Sequence, residues 1–312
     1  MTVCVVVTTY NGINFLGEQL DSIRLQSTEA DRVLISDDGS TDGTGRFTEE
    51  YIAKYQLKNW ECIIREKNLG WKRNFIETMK SADTDIILLA DQDDIWESDK
   101  IERYVRAFEE YPGAMVIAGN YSVMINEREK SQQVFDRQTE GMADDGSVIR
   151  WMLTKQFHII DRPGCVYGVR NSFFQSIVKY YPEDHPHDSF LWLASVSVGG
   201  LYLLQKKLIR YRRHSDNAIK KKNIRNVRLS ERLLFSKNEK YICENMLCFE
   251  HSDLSDEEKA AVKDFIDFCG IRIEFFESRK LRYWLTLFFR YRGYYTSLKS
   301  VAADLAITVK GR

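Results

Sequence analysis

Proline is scarce: the 312 residues hold four, and none follows Pro186. A proline removes an amide donor and clashes with the preceding helical turn, so its absence leaves the C-terminal part open to long helices. Charge of one sign is also missing. Lys and Arg number 45 against 46 Asp and Glu, for a formal net charge of -1, which excludes the broad basic field that non-specific nucleic-acid binding requires. No apolar run reaches the roughly 18 residues of a spanning helix. No basic segment leads a hydrophobic run at the N-terminus, so Val3 to Thr8 reads as a strand and not as a signal peptide. The cysteines (Cys4, Cys62, Cys165, Cys243, Cys248 and Cys269) lack paired short spacings. That pattern disfavours a disulfide scaffold or a zinc site and fits a reduced, cytoplasmic setting.

What is present is the composition of a folded globular chain, 44% hydrophobic and 29% charged. Short β-rich runs alternate with helical patterns: Val3 to Thr8 then Phe15 to Leu25, Arg32 to Ser36 then Thr44 to Tyr55, Glu61 to Ile64 then Trp71 to Lys80, Asp85 to Ala90 then Asp99 to Glu110, and a further strand at Ala114 to Ala118. This rhythm predicts an α/β fold with a mostly parallel central sheet flanked by helices. "VCVVV" and "DIILLA" are apolar without alternation, as central strands covered on both faces should be. After about residue 120 a mixed region carries a helix near Asp188 to Val198 and strands near Leu201 and Ile209. From about Lys220 apolar residues recur at helical spacing, which predicts two or three long helices. The boundary is placed at residue 218, separating a domain over 1–218 from a helical extension over 219–312.

Ligands of open parallel sheets sit beyond the carboxyl ends of the strands. Three strands end there in polar clusters: "TTYNG" at Thr8 to Gly12, "SDDGSTDGT" at Ser36 to Thr44, and "ADQDDIW" at Ala90 to Trp96. Asp91, Asp93 and Asp94 are hard oxygen ligands that suit Mg(II) or Mn(II), cations that complete their shells with substrate phosphates. Taken alone, an Asp-x-Asp triplet also occurs as a solvated acidic turn or a helix N-terminus. Asp38 can accept hydrogen bonds from a base or ribose, or simply belong to the turn at Gly39. Asp188 follows "HPH" at a helix start, where a first-turn acid is commonplace.

Taken in order, "VVVTTYNG", "LISDDGSTDGT", "NLGWKRNF" and "ILLADQDDIW" resemble the N-terminal half of family-2 inverting glycosyltransferases with the GT-A fold. The likeness is close over residues 1–110 and looser to 218 through "GCVYGV", "HPHDSFLW" and "YRRHSDN". It implies that Thr8, Tyr10 and Asp38 hold the nucleotide base, that Asp91 contacts the ribose, and that Asp93 ligates Mn(II) or Mg(II). Asn74 with Arg73 falls near the nucleotide or donor sugar, with Lys72 or Arg73 facing the diphosphate. His214 resembles a histidine that closes over the diphosphate or metal. Asp188 takes the place of the catalytic base, and Gly164, Cys165 and His187 line the acceptor side.

The implied reaction moves one sugar from UDP-hexose or dTDP-rhamnose to a glycan hydroxyl, lipid-linked in many relatives, in bacterial surface polysaccharide synthesis. No Gln-x-x-Arg-Trp segment of processive synthases is present, which favours single transfers. A nucleotidyltransferase is disfavoured because "TTYNGINFL" has one glycine and no cation. A non-catalytic sugar-binding protein on the same fold is the rival from another class. The segment from Glu277 to Lys299 mixes Arg and Lys with Trp, Phe and Tyr, a composition that suits either the inner face of a membrane or packing onto protein, including a second copy of the chain.

Overall fold

The computed structural model describes residues 1–125, 141–213, 227–250 and 252–310. Four parallel strands build its N-terminal half: β1 (Val3–Thr9), β2 (Arg32–Asp37), β3 (Trp60–Ile64) and β4 (Ile86–Asp91). Helices α1 (Ile13–Arg24), α2 (Thr44–Tyr55) and α3 (Trp71–Met79) connect them. Every residue of β1 is buried, as its unbroken run of β-branched and small apolar residues requires of a strand covered on both faces. β3 is half-exposed along much of its length, which suits its place at the sheet edge.

The strand order is β3-β2-β1-β4, then β8 (Tyr167–Arg170), β6 (Val116–Ile125), β9 (Leu201–Arg213) and β5 (Ile95–Trp96), so the chain steps outward from β1 to β3 and then crosses to β4 on the other side of β1. That reversal between β1 and β4 is a switch point of the kind where open α/β sheets bind ligands. Beyond β4 the sheet is mixed. After β5 (Ile95–Trp96) and α4 (Lys100–Glu110), β6 (Val116–Ile125) runs parallel to β9 (Leu201–Arg213). Short β8 (Tyr167–Arg170) slots antiparallel between β4 and β6. β5 and β7 (Val148–Arg150) both pair antiparallel with β9. The two strands expected near Leu201 and Ile209 are one element, kept in register with β6 by irregularities on either side of Asn120. Gly168 in β8 lets the Tyr104 ring approach: a Cβ there would lie 2.5 Å from it.

Helices α5 (Asn171–Ile177) and α6 (His187–Val196) precede β9. The C-terminal part has two long helices, α7 (Leu229–Leu247) and α8 (Asp256–Ser278), followed by the shorter α9 (Leu281–Phe289) and α10 (Leu298–Lys310). Residue 218, the expected boundary, lies outside the described residues. Ser255 caps α8 through a reciprocal box with Glu258. No helix among the described residues is long and apolar enough to cross a membrane.

A buried ion cluster joins the helices. Asp304 of α10, fully buried, accepts from Arg232 of α7 at 2.5 Å, from Arg272 of α8 at 2.7 Å and from the Tyr295 hydroxyl at 2.9 Å. Burial alone would raise its carboxyl, but Arg272 and Arg232 outweigh burial and hold it below the usual carboxylate range. A depressed carboxylate contributes stability above its unfolded-state value, and that contribution disappears as pH falls through the folded value. Asp304→Ala therefore removes the carboxylate that Arg232 and Arg272 share and should cost about 3–5 kcal/mol in urea unfolding at pH 7. The gap from wild type should close as the pH is lowered below about 4, and a pH-independent gap would contradict the ionic origin.

Candidate active site

A cavity of about 420 Å³ opens at the carboxyl ends of β1, β2 and β4. The parallel register sets Thr8 beside Ser36 on one side and Asp91 on the other, and Thr9 beside Asp37. Three loops leave the sheet at this level, and side chains lock them to one another. Gln92 reads the Tyr10 backbone on both sides: Oε1 accepts from Tyr10 N at 2.8 Å and Nε2 donates to Tyr10 O at 3.1 Å. Asn11, in the left-handed region at φ 50°, donates its amide to Ser40 Oγ at 2.8 Å and accepts from Thr41 N at 2.8 Å. Gly12 is required where the Gln92 amide passes, since a Cβ would meet Oε1 at 2.1 Å.

Asp38 is buried, and its two oxygens accept from Leu69 N at 2.7 Å and Gly70 N at 2.9 Å, so it folds the "NLG" turn over the cavity. Asn74 is similarly engaged. Its Oδ1 accepts from Ser36 Oγ and Arg65 Nε, both at 2.7 Å, and its Nδ2 donates to Ser36 O at 3.0 Å. Both residues line the cavity, with their polar atoms already tying β2 to α3. Asp37 is a structural neighbour, accepting from Thr9 Oγ1 and Ser40 Oγ.

Of the residues expected at the site, Thr8, Tyr10, Asp38, Asn74, Asp91, Asp93, Gly164, Cys165, His187 and Asp188 line this one cavity. Arg73 does not. It sits on the outward side of α3, more than half exposed and 3.9 Å from Glu77, while Asn74 and Phe75 turn inward. Lys72 is also committed elsewhere, donating to Asp184 O at 2.6 Å. His214 lies outside the described residues.

The acidic end concentrates charge. Ligand oxygens of Asp91 and Asp94 and the Cys165 sulfur lie within 4.8 Å of one another. Burial, then the neighbouring Asp93 and Asp188, raise the Asp91 carboxyl; burial, then Asp91 and Asp93, raise that of Asp94. Asp94 accepts from Arg212 N at 3.0 Å through Oδ1, while its Oδ2 is buried without a hydrogen-bond partner among the described residues. Arg212 further grips the loop by donating from Nε to Asp93 O at 2.8 Å. Closely set carboxylates with an unsatisfied buried oxygen fit a hard divalent cation. The thiol does not, because burial and the adjacent acids hold it protonated.

Lys100 is a residue that sequence reasoning missed. It is fully buried, its ammonium lies 3.4 Å from the centre of the Trp96 ring, and it donates to Cys165 O at 3.2 Å. Burial lowers its pKa to about 7 against the opposing pull of Cys165, Asp94 and Asp91. An aliphatic stem at the start of an amphipathic helix carries no local signal that distinguishes such a lysine from an exposed one.

On the opposite wall stand Asp188 and His187, in the first turn of α6. Asp188 is partly buried, Oδ1 accepts from Ser189 N at 2.7 Å, and burial raises its carboxyl. His187 stacks on Phe75 with ring centres 4.0 Å apart, and burial lowers its pKa to about 3, so the imidazole is neutral. Both of its ring nitrogens are without a partner among the described residues. Glycine at 164 is demanded by these two side chains: a Cβ would lie 2.7 Å from His187 Nε2 and 3.0 Å from Asp188 Cβ. His185, in contrast, is anchored away from the cavity by Ser189 Oγ at 3.0 Å and Asn238 at 3.4 Å.

An acid-lined cleft at the switch point of such a sheet, backed by C-terminal helices, is the layout of the GT-A fold. The chain belongs to glycosyl transferase family 2, whose family model matches residues 4–177, more than half of its length. It is 26% identical over 232 residues to the dTDP-rhamnosyl transferase RfbG of Shigella flexneri, covering 68% of this chain and 73% of that one. An uncharacterized protein of Mycobacterium tuberculosis is 34% identical over 115 residues, 36% of this chain; the match spans about a third (33%) of that relative's length. Among solved structures, S. aureus TarS 1-349 in complex with UDP-GlcNAc superposes with a TM-score of 0.65 at 16% identity, covering 99% of this chain and 91% of that one.

The brace between the first and third loops can be tested directly. Gln92→Ala removes two hydrogen bonds to Tyr10 and should lower stability by about 1–2 kcal/mol. Deuterium uptake should rise selectively in the segment 8–13, and unchanged uptake there would show that the brace does not order the loop.

Proposed function

We propose that the chain is a metal-dependent inverting glycosyltransferase, moving one sugar from a nucleoside-diphosphate sugar to a hydroxyl of a glycan acceptor in surface polysaccharide synthesis. The observation that carries the reading is the sharing of one cavity by Asp91, Asp93 and Asp188, residues far apart in sequence. Residues 1–218 would form the catalytic domain and 219–312 its helical extension. UDP-hexose and dTDP-rhamnose are the candidate donors; the dTDP-rhamnosyl transferase relative supports the second, and the UDP-GlcNAc complex of TarS supports the first.

In this reading Thr8, Tyr10 and the turn held by Asp38 receive the base, and Asp91 receives the ribose. Asp93, with Asp91 and Asp94 beside it, would hold Mn(II) or Mg(II), which when bound neutralises charge on the leaving diphosphate. His214 is assigned to the same end by resemblance alone. Asp188 removes the proton from the acceptor hydroxyl as that oxygen bonds to the anomeric carbon, while the sugar–phosphate bond breaks and its electron pair departs with the diphosphate. Ser189 N–H fixes Oδ1 and leaves Oδ2 to take the proton. The raised carboxyl makes Asp188 a stronger base than a solvated aspartate. Neutral His187 lines the acceptor side with Gly164 and Cys165. Asn74 acts as a positioning residue through Ser36 and Arg65.

Asp188→Asn should keep the donor-induced thermal shift while lowering transfer about 10²- to 10⁴-fold. Asp93→Ala should abolish the Mn(II)-dependent part of that shift. Transfer by Asp188→Asn at the wild-type rate would remove the base assignment. Mass spectrometry of the wild-type product should show a single added sugar, and a ladder would contradict non-processive transfer.

A membrane-borne acceptor is supported by α9. Its Trp284 and Leu287 pack inward, with Trp284 Nε1 donating to Val301 O at 3.2 Å, while Leu281, Leu285 and Phe289 form an exposed stripe at four-residue spacing near Arg282 and Arg290. Such a face suits the interface of anionic lipid. The full chain should float with anionic vesicles, and Leu285→Glu with Phe289→Glu should prevent it; equal flotation of the double variant would exclude this surface.

A further inference from the structure

A second cavity, of about 440 Å³, lies among the C-terminal helices and within the roughly 300–1,000 Å³ range of small-molecule sites. One side of α7 lines it with Arg232, Phe235 and Glu239, and the rings of Phe268, Tyr294 and Tyr295 close it. Glu239 is 3% exposed, yet no hydrogen bond or ion pair to its carboxylate is found among the described residues. Burial raises this carboxyl to about 7, with Arg272 opposing. A carboxyl group without a protein partner in a cavity wall takes its hydrogen bonds from the cavity itself, from water or from a ligand that displaces it. His158, which also lines the cavity, has a buried Nδ1 likewise without a partner among the described residues.

The remaining wall defines the chemistry of that ligand. Arg232 and Arg272 are already paired with Asp304, and the Tyr294 and Tyr295 hydroxyls are spent on Asp264 and Asp304. What lines the space is therefore flat aromatic surface, the carboxyl groups of Glu231 and Glu239, the hydroxyls of Thr296 and Ser300 and the His158 ring, with both arginines paired to Asp304. Among the described residues a phosphate finds no cation there beyond the two arginines that pair with Asp304. A sugar ring offers what this wall lacks: an apolar C–H face for the rings, and vicinal hydroxyls that both donate and accept.

Side-chain contacts link the wall of this cavity to the turn beside the first. Phe235 stacks on His185 with ring centres 5.0 Å apart, and Asn238 reaches His185 Nδ1 at 3.4 Å. His185 in turn belongs to the turn that presents His187 and Asp188 to the transfer site. We propose that this second cavity is an acceptor subsite, holding a neutral sugar unit of the glycan away from its reacting hydroxyl, with Glu239 accepting from ring hydroxyls and Phe235 stacking on the ring. The assignment rests on the transferase reading above.

The full chain should be probed on an array of neutral and acidic mono- to tetrasaccharides with UDP, dTDP and Mn(II) present. Wild type should bind at least one neutral glycan, and Glu239→Leu should bind it at least tenfold more weakly. The same variant should keep the nucleotide-induced thermal shift and melt no lower than wild type, because it replaces an unsatisfied buried polar group with an apolar one. Thr296→Trp, at an exposed position on the cavity rim, should also lose glycan binding without loss of fold. Absence of neutral glycan binding, binding of acidic glycans alone, or full retention by both variants would overturn the subsite. A wild-type chain that shows no shift with either nucleotide would instead refute the transferase reading itself.

Discussion

The structure is organised around a repulsion. Asp91, Asp93 and Asp94 follow one another at the end of β4, and two of their carboxyl groups share a buried space with the Cys165 sulfur. A cluster of this kind disperses unless the backbone around it is fixed, because burial and the neighbouring carboxylates raise the carboxyls of both Asp91 and Asp94. Fixation comes from the sheet. β1 and β4 pair in parallel up to Thr8 and Asp91, so the loop leaves from a rigid, fully buried platform. Lys100 anchors the Cys165 backbone from behind, and Arg212 at the end of β9 holds Asp93 and Asp94 through a backbone carbonyl and a carboxylate.

The loop braces have the same purpose. Gln92 to Tyr10, Asn11 to Ser40 and Thr41, and Asp38 to Leu69 and Gly70 each join a side chain of one strand-end loop to the backbone of another. Main-chain amides that would otherwise need water are satisfied internally, which orders the rim before any ligand arrives. In this arrangement Gln92 matters as much to the geometry of the site as the acids on either side of it.

Much of the fold was legible from the chain. The alternation of apolar runs and helical patterns located β1 to β4 and α1 to α4 within a few residues, because a doubly covered strand such as "VCVVV" has few other readings. The cluster of acids at strand ends was legible for the same topological reason. Side-chain direction was not. Lys72, Arg73 and Asn74 are consecutive, and only their phase around α3 decides that Asn74 turns in and Arg73 turns out. Insertion of β8 between β4 and β6 was also hidden, since four residues joining an antiparallel edge leave no periodic signature. Nor could a local pattern reveal Glu239 as an unpartnered buried acid: its sequence neighbours are those of an ordinary solvated helix.

Where the molecule leaves polar groups unsatisfied separates structural from functional acids. Asp37, Asp38 and Asp304 are buried with their oxygens engaged, and each joins two elements. Asp94 Oδ2, the His187 ring nitrogens and His158 Nδ1 are buried without partners among the described residues, and His187 and His158 belong to the walls of the two cavities while Asp94 follows Asp93 at the rim of the first; Trp151 Nε1, also without a partner, belongs to neither. Native interiors satisfy nearly all buried polar groups, so this clustering is a cost in stability concentrated where an incoming molecule can relieve it. The turn carrying His185, His187 and Asp188 lies between the two places, packed on Phe75 on one side and on Phe235 on the other. The two imidazoles are thus clamped between aromatic rings, so the shape of the turn that carries Asp188 is set from both of its faces.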